Sequence, residues 1–278
     1  GIFIGGGQRL VLGSEAAELA VTTDPSDPMR MAVGLRENGA VRPLSAQLLG
    51  GGSIAGVLRF QNEDLVEARN LVGQMAVAIG SAVNEQQALG LTLRPPLGGM
   101  AGPAMFAIGA PMATAHAANA RDGAGVPLTA VSLTVTDASA LAASDYDLVP
   151  DLATPGNYQL TRLSDGLVRS IASGDVVDGM RIDVGPPAAS PGDRFLLQPV
   201  ARAANNFSAL LNDPRDLAAA SSLTVAGRIE KQDGFVPSPG TAGFGSKDRQ
   251  SGRLAVRLEP TRGLTVDYAY DTTDIDEM

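Results

Sequence analysis

Residues 62–90 read NEDLVEARNLVGQMAVAIGSAVNEQQALG, and the fold turns on how that stretch is partnered. Leu65, Ala68, Val72, Met75, Ile79, Ala82 and Leu89 step by three and four, interrupted only by Gln86. That spacing predicts one helix over 62–90 with a heptad-like apolar seam. Asn62 suits the N-cap, Glu63 and Asp64 suit the positive end of the helix dipole, and Gly90 suits the stop. At ~1.5 Å per residue the helix is on the order of 40 Å long. Such a seam needs an apolar partner, and no other segment shows a helical period of similar length. Leu65, Val72, Met75 and Ile79 are therefore the candidate helix-packing interface. Gly73 and Gly80 lie seven apart on a flank. Either they simply weaken the helix, or another backbone comes close there.

Upstream, residues 1–48 read as short strands. IFIGGGQRLVLGS holds two β-prone runs around Gly5-Gly6-Gly7, a hairpin pattern. MRMAVGL and GAVRPL are two more, joined through Asn38-Gly39, with Asp24-Pro25 and Asp27-Pro28 marking a loop. Gly50-Gly51-Gly52 breaks the chain, and Ser53 fits the cap of a short helix through Phe60. Downstream, residues 93–126 are rich in Gly, Pro, Ala and Met. They read as a connector, with one helical turn near Thr114 to Ala120. Residues 127–221 hold LTAVSLTVTD, DYDLV, NYQLTRL, LVRSIAS, MRIDVG and RFLLQPVA, short alternating runs at close spacing. With a Ser164-Asp165-Gly166 turn between two of them, they predict a small antiparallel β domain. Asp137 and Asp213-Pro214 each fit the start of a helical turn. After Leu223, LTVAGRI, RLAVRLEP and LTVDYAY read as further strands, followed by the acidic DTTDIDEM.

Composition excludes several classes. The net charge is −9, against the basic face that nucleic acid demands. Cysteine is absent, which removes disulfide frameworks, thiolate zinc sites and thiol nucleophiles. No apolar run reaches the ~18 residues of a membrane span, so no membrane insertion is expected. His116 is the single histidine and sits in ATAHAANA with no second metal-ligand type beside it. A surface or packing role is expected for it, with no metal and no cofactor. GTAGFGSK lacks the phosphate-loop spacing. The acidic Asp271, Asp274, Asp276 and Glu277 lack the central Gly of a calcium loop, so a solvated tail is expected. No enzyme constellation emerges.

Three segments together resemble one family. GGQRLVLGSEAAELAV (Gly6–Val21) comes first. GGGSIAGVLRFQNEDLVEARNLVGQMAVAIGSAVNEQQALG (Gly50–Gly90) carries Leu65, Arg69, Asn70, Leu71, Gly73, Gln74 and Ala76, then Asn84 and Gln86. MFAIGAP (Met105–Pro111) follows. VTDASALAASDYDL, NYQLTRLSDG and GDRFLLQPVARAANNFSALLNDPRDLAAAS then occur in the family's order. The chain is thereby similar to the flagellar hook-associated protein 1 family, over Gly1 to about Ser221.

The resemblance implies an α+β fold. One long helix and short strands form part of a rod-like domain over 1–104, followed by an antiparallel β domain over 105–222. Residues 223–278 are an additional β-rich outer segment. It implies a non-catalytic structural protein of the bacterial flagellum, an adapter at the hook–filament junction. The full-length protein would assemble in a ring, touching the hook protein and the next hook-associated junction protein. An export chaperone would bind its C-terminal helix, and its place would be extracellular. Family members carry long terminal helices, and the chain, opening on Gly1-Ile2-Phe3-Ile4, is read as a piece of a longer protein. The seam's partner is then expected in sequence outside this chain. Two other functions fit an exported β-rich chain. An adhesin or carbohydrate-binding protein is disfavoured by 4% aromatics. A cell-wall glycosidase is disfavoured by the lack of a recognisable acid/base pair.

Overall fold

The computed structural model describes residues 1–4, 7–37, 39–44, 46–94, 100–218, 223–232, 247–261 and 264–277. The chain divides into two compact units: Gly1–Ser81 with Ala107–Ser208, and Ala82–Phe106 with Ala209–Met278.

In the first unit, β1 (Ile2–Ile4) and β2 (Gln8–Leu12) form the expected antiparallel hairpin, extended by β3 (Glu15–Ala16). The Gly5-Gly6 part of its turn lies outside the described residues. β4 (Glu18–Thr23), β5 (Met31–Glu37) and β6 (Ala40–Pro43) make a meander with Leu19 opposite Leu35 and Val21 opposite Val33. Asn38 of the β5–β6 turn is likewise not described. The Asp-Pro segment does form the β4–β5 loop. Asp24 Oδ1 accepts the N–H groups of Ser26 and Asp27, and Asp27 Oδ1 accepts that of Met29. These side chains satisfy backbone donors where no strand partner exists.

The helix begins earlier than the seam suggests. α1 (Gly52–Arg59), a five-residue π turn (Phe60–Asp64) and α2 (Leu65–Leu89) run on without a break. Asn62 is therefore not an N-cap. The residues flanking the π turn, Arg59 and Leu65, are both right-handed helical. A single wide turn absorbs a residue without ending the helix. Arg59 Nε donates to Glu63 at 3.1 Å across it, and Gln61 Nε2 donates to the Met31 carbonyl at 2.9 Å. The glycine break ahead of it is real, with φ of 69° at Gly50 and 90° at Gly52.

Next come β7 (Phe106–Ala107), β8 (Met112–Ala115), β9 (Val131–Val135), β10 (Tyr146–Pro150), β11 (Asn157–Arg162) and β12 (Val168–Ala172). They are followed by β13 (Val176–Val177), β14 (Met180–Val184) and β15 (Phe195–Gln198). One antiparallel sheet has the order β12-β11-β10-β15-β8, and a second has β13-β14-β9. The helical turn expected at Thr114–Ala120 is not formed. Met112–Ala115 pairs instead with Gln198–Phe195 as an edge strand, so sheet pairing overrides the helix preference of Ala. Alternate residues of the strands meet in one core: Tyr146, Leu148, Leu160, Met180, Ile182, Phe195 and Leu197 are all buried there, and Val77 of α2 joins them. Ser164–Gly166 turns as expected, with Gly166 at φ 72°. Asp178, in the β13–β14 turn, is the positive-φ non-glycine residue among the described residues, at 47°. Its carboxylate accepts from the Tyr146 hydroxyl at 2.7 Å and from Arg162 at 3.1 Å. Burial first, and that carboxylate second, raise the Tyr146 pKa above its ordinary value.

In the second unit, Asp213 caps a short 3₁₀ turn (Pro214–Asp216), its side chain accepting the Arg215 N–H. β16 (Ser208–Ala209) precedes it. β17 (Leu223–Gln232), β18 (Lys247–Thr261) and β19 (Leu264–Glu277) form a long antiparallel meander. The acidic residues Asp271, Asp274, Asp276 and Glu277 belong to β19, so they form part of a strand instead of the tail expected. GTAGFGS, residues 240–246, lies outside the described residues.

Candidate interaction surface on the long helix

The two faces of α2 differ in chemistry, and the inner one is not the apolar one. Asn70, Gly73, Val77, Gly80 and Gln87 are buried, with Asn84 half-buried, on a 3-4 spacing down one face. The glycines mark close approach. A Cβ at Gly73 would overlap the Val200 carbonyl oxygen, and one at Gly80 would lie 2.8 Å from Ile108 Cδ1 and 2.9 Å from a Phe207 ring atom. Gly73 thus admits the Val200 backbone, and Gly80 admits the side chains of Ile108 and Phe207.

The amides do the rest. Gln74 Nε2 donates to the Leu141 carbonyl at 2.6 Å. Asn84 Oδ1 accepts the N–H groups of Met105 and Phe106 at 2.8 and 3.0 Å, and its Nδ2 donates to the Phe106 carbonyl at 2.9 Å. Gln87 Nε2 donates to the Asp216 carbonyl at 2.7 Å, and its Oε1 accepts from Ala218 N at 3.2 Å. Each clamp gives partners to backbone groups of a neighbouring segment. An amide carries both donor and acceptor, so it pairs with backbone as a strand would. Gly90 ends the helix and also makes room, since a Cβ there would lie 2.8 Å from Ala218.

On the opposite face the structure places the predicted residues in solvent. Val72, Met75 and Ile79 are 55%, 61% and 55% exposed, and Leu65 is half-buried. Leu71 and Leu89 are exposed as well. One helix therefore presents the apolar Val72, Met75 and Ile79 largely uncovered among the described residues. The sequence reading found this row. The clamping roles of Gln74, Asn84 and Gln87 are not evident from the residues alone, although their spacing with the two glycines is a signal of that face.

A second feature ties α2 to its surroundings within the first unit. Asp145, just ahead of β10 and 2% exposed, accepts from Arg30 Nη2 and Gln198 Nε2, each at 3.1 Å. Arg30 Nε also pairs with Asp27 at 3.0 Å. Burial raises the Asp145 pKa, opposed by Gln198, then Asn70, then Arg30. The β4–β5 loop is thus held by charge at Arg30 and by backbone at Pro25, whose carbonyl accepts from Ala117 N at 2.7 Å.

His116 has local partners: its N–H donates to the Arg194 carbonyl, and its Nδ1 accepts from Ala118 N at 3.1 Å. Among the described residues no cluster of three His, Cys, Asp or Glu side chains converges for a metal, and no helix is long and apolar enough to cross a membrane.

Comparison with known proteins adds relatives. The flagellar hook-associated protein FlgK helical domain matches residues 1–106, and the D2-like domain of flagellar hook-associated protein 1 matches residues 117–199. Flagellar hook-associated protein 1 of Escherichia coli K12 is 35% identical over 226 residues, covering 79% of this chain and 39% of the relative. Its counterpart in Salmonella typhimurium LT2 is 32% identical over 232 residues, covering 82% and 40%. The chain thus spans about 40% of the length of the curated relatives it matches. The solved structure of the flagellar hook junction protein FlgK from Burkholderia pseudomallei shares the fold, with a TM-score of 0.68 at 22% identity, over 99% of this chain and 59% of that one.

Proposed function

We propose, from the premise that this chain belongs to the flagellar hook-associated protein 1 family, that it is part of a structural adapter joining hook to filament in the bacterial flagellum and catalyses nothing. The observation that carries this reading is the exposed row Val72, Met75 and Ile79, backed by a helix face already locked to its own chain. A helix so arranged is fixed on one side and free to bind apolar helices on the other. The candidate interface Leu65, Val72, Met75 and Ile79 packs against helices of the full-length protein. The adapter works as a ring of copies bound to the hook protein and to the next hook-associated junction protein. An export chaperone takes its C-terminal helix before release outside the cell. Residues 1–104 belong to the rod-like part, 105–222 form the β domain, and 223–278 are an outer segment. The family matches over 1–106 and 117–199 support the first of those boundaries.

The test is genetic. Cells lacking the gene should build hooks, shed filament protein into the medium and fail to swim, and the wild-type gene should restore swimming. Normal filaments on cells without the protein would refute the adapter reading.

A further inference from the structure

We infer that Asp145 is a proton-operated switch between two partners, the Arg30 guanidinium of the β4–β5 loop and the Asn70 amide of α2, so that acid loosens the loop from the β sheets. Two orphan atoms carry the inference. Asp145 Oδ1 and Asn70 Oδ1 are buried without a hydrogen bond, and both residues are 2% exposed. Buried acceptors are seldom left unpaired, because the loss of water is uncompensated. The other carboxylate oxygen, Oδ2, is occupied by Arg30 and Gln198. The Asn70 amide lies against the same carboxyl group. One proton on Asp145 Oδ1, donated to Asn70 Oδ1 once the amide turns over, satisfies both orphans.

The same proton removes the negative charge that holds Arg30. Arg30 then keeps only Asp27, which lies on its own loop at 3.0 Å. The charged groups facing Asp145 follow from its neighbours. The loop brings Arg30 with Asp27 behind it, α2 brings the neutral Asn70, and β15 brings the neutral Gln198. On its own segment, the Ser144 hydroxyl donates to the Asp145 carbonyl at 2.7 Å. One cation thus balances a deeply buried carboxylate, and burial raises its proton affinity. The folded-state pKa lies above the unfolded one. The folded protein therefore takes the proton first as pH falls, and the stability gained by the neutral form is lost as pH rises through the folded-state value.

The test pairs carbon-13 NMR titration of the Asp145 carboxyl with hydrogen exchange at the Ala117 amide, which bonds the loop at Pro25. The carboxyl midpoint should lie above ~3.9, the ordinary Asp value. Ala117 exchange, corrected for its intrinsic rate, should be faster on the acid side of that midpoint than on the basic side. Asp145→Asn, fixed in the neutral form, should exchange fast at every pH. Asn70→Leu, which removes an amide that favours the charged carboxylate, should raise the midpoint further. A wild-type midpoint at or below the ordinary value overturns the switch, as does Ala117 protection that ignores the titration. Both readings come from the wild-type chain, so they decide the matter even if Asp145→Asn does not fold.

Discussion

The buried residues of α2 are Gly, Asn, Gln and one Val, while the exposed row on its outer face is made of Val, Met, Ile and Leu. Ordinary amphipathic logic would assign them the other way round. The difference lies in what each face meets. Inside this chain the helix packs on turns and irregular backbone, whose N–H and C=O groups need partners and whose closeness needs glycine. An apolar face would leave those backbone groups unpaired. The Val72–Met75–Ile79 row suits a regular apolar surface, and among the described residues it stays more than half exposed.

Substitutions at matched positions separate the two faces. The largest effect is expected at Gly73→Val. Its Cβ would collide with the Val200 backbone, which cannot rotate away as a side chain can. A loss of about 3 kcal/mol is expected, measured by urea denaturation of this chain. A loss within ~0.5 kcal/mol, the range of surface changes, would mean the face is loosely packed. Asn84→Ala comes next. It removes the side-chain acceptor of the Met105 N–H, for a cost of about 2 kcal/mol by the same measurement.

Acid sharpens the contrast in another way, because amide clamps do not titrate and carboxylate-held turns do. Asp165 and Asp213 are each lowered to about 2, chiefly by hydrogen bonds from Arg162 and Arg215 respectively. Their folded values lie below the unfolded 3.8, so their contribution is full above that value and is lost as pH falls towards 2. Hydrogen exchange should quicken first at Leu167 and Arg215, whose N–H groups bond those carboxylates. Met105 and Phe106, held by Asn84, should keep their protection longer. Simultaneous loss at all four amides would mean that acid unfolds the chain as one body. The smallest effect is expected at Met75→Ala, on the outer face. In this chain it should shift stability by under ~0.5 kcal/mol, and a drop of 2 kcal/mol or more would reveal a cover on the row.

Much of the fold was legible because its signals are local. Alternation in NYQLTRL and MRIDVG marks β11 and β14, and the Ser164–Gly166 turn joins the strands on either side of it. The seam of α2 was legible for the same reason. Its start was not, because a π turn keeps α1 and α2 continuous where Asn62 offers a cap. Thr114 was misread because Ala-rich sequence favours helix locally, while its pairing partner, Leu196, lies far along the chain. The clamps on the inner face were hidden for a related reason. An Asn at position 84 has no local signature that distinguishes it from a surface polar residue, and its meaning depends on where Met105 folds back. Asp145 is likewise silent in sequence, since burial and Arg30 define it only in three dimensions.

The central claim is that the outer row is an assembly face, and Ile79→Asp tests it most directly when made both in this chain and in the full-length protein. Thermal unfolding of the chain should change by under ~0.5 kcal/mol, because Ile79 is 55% exposed there. In the full-length protein the same charge should cost about 3 kcal/mol or more, because it enters an apolar contact unpaired. Cells carrying it should shed filament protein and stop swimming. Equal, small shifts in both proteins together with wild-type swimming would show that the row faces water in the assembled flagellum, and the account would be wrong.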